Sequence, residues 1–468
     1  MFILVVCLRV KLIVSLGPSS SSADIIVSML REGVSGFRIN LAHGMLSDWV
    51  GMIRSVREAE SLVGRLASVI VDIKGPSLRL GEFPDVVSVP AGSLVEFCIS
   101  GYSREVPRIP FPHEEVLKKV SVGDLLVMDD GRARFSVVEV SSECFKAKAL
   151  TPCELRQRKN VSFPDKEFEG SYMSVEDMNA LRNLCREGVD YVDASLVRNA
   201  GDVKELRDYL SSIGCNALVI AKIETKKAVR NLSEVVEASD AVLVARGDLG
   251  MNFGLEEVPI LQRKIVEESH KMGKPVIVAT QLLESMINNP VPTRAEVSDV
   301  ANAVLEGVDA LMLTGETAIG KYPVEAVRWL KKIAERAESM YKPTNRRDAE
   351  YVRKSLKKRY AKGVTELAED LDGVLAIYSI RGTTVFTIAS LRPRIRCYVG
   401  VPTKEVARKL SIVWGVDVRV IEASNYMEGL EKLYSSLLGS GDLKKGDLVV
   451  LTYGLRDKEQ VIKVRVVE

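Results

Sequence analysis

The 468-residue sequence predicts an α/β protein in which a (β/α)₈ barrel carries an inserted small β-barrel domain and is followed by a C-terminal α/β domain. Short β-branched runs alternate with segments of helical periodicity from about residue 11 to residue 342, the pattern of βα units that form a parallel sheet. One long interruption falls between residues 75 and 158, and a charged, proline-containing stretch near residues 342–347 precedes a second α/β region. We therefore expect a barrel domain formed by residues 1–74 and 159–343, an insert at 75–158 and a C-terminal domain at 344–468.

Eight candidate strands match the number that closes a TIM-type barrel. Most of them finish in polar or charged residues, and the βα loops at the C-terminal rim of such a barrel converge on one mouth. For any one strand the polarity has a simpler explanation, namely that strands end where polar loops begin. Its recurrence over the eight strands predicts an active site at the rim. The candidate strands are Lys11–Leu16, Gly36–Asn40, Ala67–Ile73, Tyr191–Ser195, Ala217–Glu224, Ala241–Gly247, Pro275–Gln281 and Ala310–Glu316.

The insert follows the third barrel strand and changes to short alternating strands with turn signals. Leu125–Met128 and Ala133–Val140 flank the turn Asp129–Gly131, which is typical of a hairpin. An all-β domain at this rim is well placed to act as a lid that excludes water during a reaction, with a passive decoration as the open alternative. In the C-terminal region strands again alternate with helices; these strands are Gly373–Ser379, Arg396–Val399, Asp417–Ile421 and Asp447–Leu451.

Composition and the N-terminal segment exclude two classes of partner. A formal net charge of +2 gives no electrostatic reason for binding nucleic acid or an anionic membrane. Met1–Val10 is apolar, but the run is broken by Arg9 and Lys11 and is well short of a bilayer span. It also lacks the basic leader and cleavage site of a secretory signal, so we expect a strand that precedes the first barrel strand.

The seven cysteines are odd in number, scattered and never spaced as C-x-x-C. This usage predicts reduced thiols in a cytoplasm, and it argues against a disulfide framework or a zinc site. The cysteines are Cys7, Cys98, Cys144, Cys153, Cys185, Cys215 and Cys397.

The segment AKIET at residues 221–225 ends an apolar candidate strand. Because side chains alternate along a strand, Lys222 and Glu224 are expected to project to the same face. A lysine and a carboxylate aimed into a barrel mouth are costly to bury without a further partner, such as a metal or an anionic substrate. A simple salt bridge across the rim is the structural alternative.

The next candidate strand ends in ARGDLG, residues 245–250. Gly247 and Gly250 permit close approach of a ligand to the backbone, and exposed amides there suit a carboxylate. Asp248 is expected beside Glu224 on the adjacent strand, so that two carboxylates are available for one hard divalent ion. Since no cysteine or histidine accompanies them, the donor set favours Mg²⁺, or Mn²⁺, over zinc.

With their neighbours, these residues resemble the pyruvate kinase family. The resemblance is almost continuous from residue 221 to residue 325, through AKIET, EASDAVLVARGDLG and GKPVIVATQLLESMINNPVPTRAEVSDVANAVLEGVDALMLTGETAIGKYPVEAV. It extends to SLGPSSSS, GFRINLAHG and VDIKGPSLRLG at the first three strands, and more weakly to GDLLVMDDG in the insert. The resemblance implies transfer of a phosphoryl group from phosphoenolpyruvate to ADP, giving pyruvate and ATP in glycolysis, by a cytoplasmic homotetramer.

The resemblance also implies roles for individual side chains. Glu224 and Asp248 are expected to ligate the divalent cation. Lys222 is then expected beside the phosphoryl group in flight, where its charge offsets that of the equatorial oxygens. Arg38 and Arg79 match positions that contact the phosphoryl group, for which a bidentate guanidinium is better suited than an ammonium, and Arg79 is expected to reach the nucleotide as well.

The remaining roles concern the substrate carboxylate, the proton and the nucleotide. By the resemblance, backbone amides at Gly247 and Asp248 hold the carboxylate of the substrate. Thr280 matches the threonine near the methylene carbon and is expected to help deliver a proton to the enolate. Asn40 and His43 match residues that line the nucleotide side of the site.

Three positions depart from the potassium-dependent members of the family. Those members carry a serine within N-F-S-H, a threonine after the aspartate of the third strand and a glutamate after G-P. This sequence has Ala42, Ile73 and Ser77 there, which removes oxygen donors that a monovalent cation needs. We therefore expect that K⁺ is not required, although Asn40 and Asp72 are retained.

The segment 379–384 of the C-terminal region joins a candidate strand to a candidate helix. Hydroxyls, an arginine and a helix N-terminus together form a phosphate cradle, and the same place in the family holds the phosphate of effectors. Ordinary N-capping explains the segment equally well, so the effector stays open. The candidate effector residues are Ser379, Arg381, Gly382, Thr383 and Thr384.

Two rival functions are compatible with parts of this pattern. A metal-dependent pyruvate or oxaloacetate aldolase also needs two carboxylates and a carboxylate-binding glycine loop, but it needs neither the lid nor Lys222. A catalytically idle, metabolite-binding relative predicts the loss of key residues. Against that reading, the sequence retains Arg38, Lys222, Glu224, Asp248 and Thr280.

Overall fold

A computed structural model of the chain describes residues 8–104, 107–129, 131–164, 166, 171–341, 350–353, 355–454 and 460–468. Residues 1–7 of the predicted N-terminal strand, residue 130 of the predicted turn and the predicted linker at 342–347 lie outside these ranges. Among the described residues, no helix combines the length and the apolar character needed to cross a bilayer.

The strands are numbered β1 to β22 in chain order. They are β1 Lys11–Ser15, β2 Val34–Asn40, β3 Ser68–Asp72, β4 Leu78–Arg79, β5 Val87–Val89, β6 Leu94–Cys98, β7 Arg108–Pro110, β8 Leu125–Met128, β9 Ala133–Val140, β10 Cys144–Ala149, β11 Cys153–Leu155, β12 Asn160–Ser162, β13 Tyr191–Ala194, β14 Leu218–Ile223, β15 Ala241–Ala245, β16 Val276–Ala279, β17 Ala310–Leu313, β18 Val374–Tyr378, β19 Cys397–Val401, β20 Val416–Val420, β21 Leu448–Tyr453 and β22 Ile462–Val466.

The α-helices are numbered α1 to α17 in the same way. They are α1 Ala23–Glu32, α2 Leu46–Val63, α3 Glu114–Leu117, α4 Val175–Leu184, α5 Ala200–Ser212, α6 Lys226–Arg230, α7 Leu232–Ala238, α8 Arg246–Phe253, α9 Val258–Met272, α10 Arg294–Glu306, α11 Gly315–Ala318, α12 Pro323–Glu338, α13 Glu350–Arg353, α14 Leu356–Asp370, α15 Thr383–Ser390, α16 Lys404–Leu410 and α17 Tyr426–Gly439. Short 3₁₀ helices lie at Cys185–Glu187, Leu255–Glu257 and Glu284–Ile287.

Eight parallel strands close a barrel in the order β1-β17-β16-β15-β14-β13-β3-β2. All eight predicted barrel strands are confirmed, each within a few residues of its predicted ends. Both faces of the strands are apolar, as a parallel sheet surrounded by helices requires. Ile13, Ile70 and Ile220 belong to a buried cluster inside the cylinder. The barrel is therefore packed below its mouth, which confines its chemistry to the rim.

The register of neighbouring strands decides which polar residues meet at that rim. Asp72 at the end of β3 lies opposite Asp193 on β13, and Ala194 lies opposite Ala221 on β14. Lys222 follows Ala221 by one residue. Side chains that are more than one hundred residues apart in the chain are thus brought to one level of the barrel.

Helix α10 begins and ends with ordinary capping signals. Thr293 is the N-cap of α10: its hydroxyl accepts the backbone N–H of Glu296 at 3.3 Å, and the Glu296 carboxylate accepts the N–H of Thr293 at 2.7 Å. Gly307 ends the helix with φ 85°, a conformation that glycine adopts without steric cost.

The insert runs from β4 to β12 and forms a seven-stranded sheet in the order β4-β12-β8-β9-β10-β6-β7, with β11 and β5 as a separate pair. The hairpin strands β8 and β9 have the predicted bounds. Phe97, Phe111, Phe135 and Phe145 are buried in its core. Because β12 belongs to this sheet, the insert extends a few residues beyond the predicted boundary at residue 158.

The C-terminal sheet has the order β20-β19-β18-β21-β22 and contains the four predicted strands. The antiparallel edge strand β22 was not predicted, although its apolar and charged residues alternate as in a half-buried strand. Arg392 joins this domain to the barrel: its guanidinium and the Asp309 carboxylate form a buried ion pair at 2.8 Å. That contact is a structural link between the two domains.

The prediction that the cysteines are reduced is wrong for four of them. Disulfides join Cys98 to Cys144 and Cys185 to Cys215. The partners are 46 and 30 residues apart, so sequence spacing alone carries no sign of the pairing. The antiparallel register of β6 and β10 places Cys98 directly opposite Cys144. Cysteine usage therefore gives no argument for a compartment, since intracellular proteins of hyperthermophiles also contain disulfides. Cys153 and Cys397 are free.

Candidate active site

Lys222 and Glu224 lie at the end of β14 and face the barrel mouth together, as predicted from strand alternation. The Lys222 ammonium is 3.4 Å from Oε2 of Glu224. The backbone N–H of Leu196 donates to the other oxygen, Oε1, at 2.5 Å. Glu224 is almost completely buried, and its Oε2 has no hydrogen-bond partner among the described residues. An ion pair alone therefore leaves part of this buried carboxylate unsatisfied.

Ser195, which the sequence reasoning missed, links Lys222 to Asp72. The Ser195 hydroxyl oxygen accepts a hydrogen bond from the Lys222 ammonium at 2.7 Å, and its O–H donates to Oδ1 of Asp72 at 2.6 Å. Ser195 directly follows β13. Its position at the end of a barrel strand, where the active sites of such barrels lie, is the one signal in the sequence that points to it.

Arg38 approaches Asp72 from the other side. Its Nε donates to Oδ2 of Asp72 at 3.0 Å, and its Nη2 donates to the same oxygen. A third donor, Nη1, bonds the hydroxyl of Ser15 at 2.8 Å. Asp72 is thus held by two cations and a hydroxyl, and these contacts fix Arg38 and Lys222 relative to each other.

Asp193 is a second acid beneath this network that the sequence reasoning missed. Its side chain is fully buried, and neither carboxylate oxygen has a hydrogen-bond partner among the described residues. The nearest cation is Arg38, whose Nε lies 3.6 Å away. Burial raises the pKa of Asp193 to about 8, and the charge of Asp72 adds to the rise. Its position in a short apolar strand gave no reason to single it out from the sequence.

The pKa shifts follow from this crowding of buried charges. Burial would raise the pKa of Asp72, but Lys222 and Arg38 lower it overall. Burial opposes the charge of Lys222, but the carboxylates of Asp72, Glu224 and Asp248 raise its pKa above the ordinary value. Burial raises the pKa of Glu224 to about 8, with Lys222 opposing the rise and Asp248 adding to it. Lys222 is therefore a permanent cation at neutral pH.

Asp248 lies in the first turn of α8 rather than on the strand, because β15 ends at Ala245 and the helix begins at Arg246. It is half-buried, and its charge acts on both Glu224 and Lys222. The predicted convergence of one lysine and two carboxylates at the mouth is therefore present. The first turn of a helix also brings the backbone N–H groups of 247 and 248 toward the same place.

Thr280 follows β16 and contacts this helix turn. The N–H of Gly247 donates to the Thr280 hydroxyl oxygen at 2.8 Å. Thr280 and Gln281 have φ of 69° and 54°, which is strained for residues other than glycine. Arg246 stabilises both by donating to their carbonyl oxygens at 2.7 to 3.0 Å. Arg246 is a buried positioning residue that the sequence reasoning missed.

Arg79 lies on β4 of the insert, above the mouth. Its backbone N–H donates to the His113 ring at 2.9 Å, and its guanidinium donates to the carbonyl of Arg158 at 3.0 Å. Burial lowers its pKa, while the charges of Asp248 and Asp72 act in the opposite direction. Its Nε is buried without a hydrogen-bond partner in the described part of the chain. The guanidinium is therefore close to the carboxylates and incompletely satisfied.

The residues expected to line the nucleotide side, Asn40 and His43, lie at the end of β2 and in the loop that follows it. Asn40 Oδ1 accepts the N–H of Ala42 at 3.0 Å, which shapes the start of the loop. His43 is exposed, and burial of part of its ring together with the charges of Arg79 and Arg38 lowers its pKa. The imidazole therefore lies near both arginines.

A cleft of about 550 Å³ separates the insert from the barrel mouth. Its lining combines insert residues with barrel residues, including Ser77, Asn160, Ser162, Asp248 and Asn252. Polar groups from both domains thus face one space beside the mouth, which Asp248 lines but Lys222, Glu224 and Thr280 do not.

The donor set at the mouth fits a hard divalent cation. Glu224 offers a buried oxygen without a hydrogen-bond partner among the described residues, and Asp248 carries a second charge that disfavours ionisation of Glu224. A divalent cation removes that repulsion and prefers oxygen ligands, with substrate oxygens and water completing the shell. The one close group of metal-type side chains elsewhere in the described chain, at Glu96, contains the bonded pair Cys98–Cys144 and is not a comparable site.

The candidate effector segment lies far from this mouth, in the C-terminal domain. The hydroxyl of Ser379 accepts the N–H of Gly382 at 3.1 Å, so this side chain already caps the turn before α15. Arg381 and Thr383 are exposed and line a cavity of about 670 Å³ between the C-terminal domain and the barrel, to which Lys274 and Lys409 also contribute.

Two family models match consecutive parts of the chain. The first, described as "Pyruvate kinase, barrel domain", matches residues 7–327. The second, described as "Pyruvate kinase, alpha/beta domain", matches residues 359–464.

Individual relatives are similar along nearly the whole chain. Pyruvate kinase of Pyrobaculum aerophilum is 41% identical over 463 residues, which cover 97% of this chain and 96% of the relative. Pyruvate kinase of Aeropyrum pernix is 41% identical over 430 residues, covering 92% of each. The crystal structure of the Pyrobaculum aerophilum enzyme superposes with a TM-score of 0.86 at 39% identity, covering 98% of this chain and all of that one.

Proposed function

The chain belongs to the pyruvate kinase family, and from that premise we propose how its own residues move a phosphoryl group from phosphoenolpyruvate to ADP. As a member it is a phosphotransferase. In this reaction the bond between phosphorus and the enol oxygen breaks, and a bond forms between phosphorus and a terminal oxygen of ADP. The pyruvate enolate that is left takes a proton on its methylene carbon.

Glu224 and Asp248 would hold the divalent cation, Mg²⁺ or Mn²⁺. When bound, such an ion supplies positive charge to the carboxylate and the enol oxygen of the substrate. Support comes from the buried, unsatisfied oxygen of Glu224 and from the mutual repulsion of the two carboxylates. Both features are costly in an enzyme that does not bind a cation there.

Lys222 would stabilise the phosphoryl group during transfer. Its ammonium is held by Ser195, Asp72 and Glu224, so it needs no rearrangement when charge develops on the equatorial oxygens. Arg38 and Arg79 approach from the barrel and from the insert, and their guanidinium groups suit bidentate contact with phosphate oxygens. Closure of the insert over the mouth would exclude water, which otherwise competes with ADP for the phosphoryl group.

The carboxylate of the substrate would bind at the first turn of α8. The carboxylate would accept one hydrogen bond from the N–H of Gly247, which also donates to the Thr280 hydroxyl, and another from the N–H of Asp248. This arrangement places the Thr280 hydroxyl next to the substrate, where it can pass a proton toward the methylene carbon. The strained backbone at Thr280, held by Arg246, fixes that hydroxyl in place.

The single observation that carries this mechanism is the contact of Lys222 with Glu224 at the mouth of a closed barrel. A coupled assay tests it. With phosphoenolpyruvate, ADP and Mg²⁺, pyruvate should form only when ADP is present, and Glu224→Gln should abolish the activity. Pyruvate release from an aldol substrate without ADP would instead support the metal-dependent aldolase.

Several finer points belong to the same proposal. The enzyme would work in glycolysis, in the cytoplasm, as a homotetramer, with Asn40, His43 and Arg79 along the nucleotide side. It would not require K⁺, because Asp72 is already held by Arg38, Lys222 and Ser195. A phosphorylated effector would bind where Arg381 and Thr383 face the cavity between the domains, together with Lys274 and Lys409. The hydrogen bond between Ser379 and Gly382 shapes the turn before α15.

A further inference from the structure

Asn160, on the last strand of the insert, touches a candidate metal ligand directly. Its side-chain Nδ2 lies 3.3 Å from Oδ1 of Asp248. A carboxylate oxygen only accepts, so the atom of the Asn160 amide that faces it is the nitrogen. Its own Oδ1 is buried and has no hydrogen-bond partner within the described residues. The amide is therefore oriented by one contact, and that contact is with Asp248.

The same strand makes a second contact with the metal-binding segment. The Ser162 hydroxyl donates to Oδ1 of Asn252 at 2.8 Å. Asn252 in turn donates through Nδ2 to the carbonyl oxygens of Glu224 at 2.8 Å and Asp248 at 3.1 Å. Two residues of β12 thus reach, directly and through Asn252, the two backbone segments that carry the candidate ligands.

The pairing of β12 explains why this contact is connected to the lid. Asn160 lies opposite Arg79 on β4, and Val161 lies opposite Met128 on β8. Any movement of the insert sheet therefore carries Asn160 and Arg79 together. In the structure that sheet lies against the mouth, and the hydrogen bond between Asn160 and Asp248 joins the two.

We propose that Asn160 is a positioning residue for the divalent cation: it holds one oxygen of Asp248 and so fixes the orientation in which that carboxylate binds the metal. The proposal rests on the proposed metal site at Glu224 and Asp248. Hydrogen bonds to a ligating carboxylate limit its rotation, and their loss typically costs about 10- to 100-fold in metal affinity. The insert then does more than exclude water, because in its closed position it also fixes the orientation of the Asp248 carboxylate.

A matched control separates this role from the loss of any other contact between the insert and the barrel. Arg132 also joins the insert to the barrel, through an exposed ion pair with Glu284 at 2.7 Å, and neither residue contacts Glu224 or Asp248. Removing the Arg132 side chain takes away one exposed contact between the insert and the barrel, of a kind that contributes little energy, and leaves the hydrogen bond between Asn160 and Asp248 in place.

The experiment measures Mn²⁺ binding to the full chain in the absence of substrates, from the electron paramagnetic resonance signal of free Mn²⁺. It compares the wild type with Asn160→Ala, Asn160→Leu, Arg132→Ala and Glu224→Gln, and circular dichroism checks the fold of each. Leucine keeps the branched shape of asparagine without a donor, so it also serves if the alanine variant does not fold. We expect both Asn160 variants to raise the Mn²⁺ dissociation constant about tenfold or more, with Arg132→Ala unchanged.

The outcomes distinguish the inference from the function on which it rests. Wild-type affinity in Asn160→Leu would overturn the role of the hydrogen bond, as would an equal loss in Arg132→Ala. If the wild type binds no Mn²⁺, or if Glu224→Gln binds it as well as the wild type does, the proposed metal site itself is wrong. A tenfold loss confined to the Asn160 variants supports the proposal.

Discussion

The ammonium nitrogen of Lys222 lies 3.4 Å from Oε2 of Glu224, two residues further along the same chain segment. Strand alternation puts both side chains on one face, and the closed barrel makes that face the mouth. The pair would be an expensive salt bridge if it served stability alone, because both groups are largely buried and one carboxylate oxygen stays unsatisfied. A cation and an anionic substrate supply the missing partners.

Replacing Lys222 by methionine should lower kcat at least about 10²- to 10³-fold, the typical cost of losing one preorganised group that stabilises transition-state charge. Affinity for phosphoenolpyruvate should change little, because the divalent cation, Arg38 and the amides of α8 still bind it. Steady-state kinetics and equilibrium dialysis measure the two effects. Lys271→Met, at an exposed lysine on α9, is the control and should behave as the wild type. Near-normal turnover in the Lys222 variant would contradict the role.

Potassium should not activate the enzyme. Asp72 is already neutralised by Arg38 and Lys222. At the three positions that differ from the potassium-dependent members, Ala42 and Ile73 carry no side-chain oxygen and Ser77 has only a short hydroxyl. Initial rates in KCl and in tetramethylammonium chloride at equal ionic strength should therefore agree.

The same positions provide a gain-of-function control for the potassium prediction. A triple variant, Ala42→Ser with Ile73→Thr and Ser77→Glu, restores the oxygen donors and should acquire activation by K⁺. Strong activation of the wild type by K⁺ would show that other donors, such as the carbonyl of residue 73, are sufficient.

Asp193 should make the protein less stable as pH rises. Its pKa in the folded state is about 8, above the ordinary value of 3.8, so the folded state binds the proton more tightly than the unfolded state does. The resulting stability is complete below the unfolded pKa and is lost as pH rises through about 8. The Asp193→Asn variant lacks this dependence. The difference between its unfolding free energy and that of the wild type should therefore grow in favour of the variant from about pH 5 to about pH 9.

Denaturant unfolding at both pH values measures this difference. Asp208→Asn, at an exposed aspartate on α5, is the control and should show no comparable change with pH. A constant difference between Asp193→Asn and the wild type across the range would mean that the Asp193 carboxyl is ionised throughout.

The disulfide between Cys185 and Cys215 should stabilise the barrel. It closes a loop of 30 residues, for which the chain-entropy model gives about 3 to 4 kcal/mol. Cys185→Ser combined with Cys215→Ser should lower the denaturant midpoint by a corresponding amount, and a reductant should shift the wild type in the same direction. Cys153→Ser, at a free thiol, should leave the midpoint unchanged. A wild type that is insensitive to reductant would show that the bond is absent in solution.

The sequence was sufficient for the framework of the site. Alternation of short apolar strands with helices predicted eight barrel strands, because a parallel sheet covered by helices repeats its pattern at every βα unit. Because side chains alternate along a strand, Lys222 and Glu224 were predicted to lie on one face. Asp248 and Thr280 were predicted to lie near them because the C-terminal ends of the barrel strands converge on one mouth. The resemblance then implied the reaction and the roles of these residues.

Other residues were missed because their importance comes from contacts across the fold. Ser195 and Asp193 gain meaning only when β13 pairs with β3, because that pairing brings Ser195 next to Asp72, 123 residues away in the chain. Asn160 lies in a short insert strand without a motif, and it reaches Asp248 only when the insert folds back over the mouth. The paired cysteines were likewise hidden by their distance along the chain.

The sequence by itself therefore determined the elements, their alternation and the chemistry available at the strand ends, because hydrophobic period and residue type are local properties of the chain. Only the tertiary structure decided which charges meet, which carboxylates stay buried without partners and which amide holds Asp248. Those outcomes depend on the closure of the barrel and on the position of the insert, since burial and distance, rather than residue type, set the energy of a buried charge.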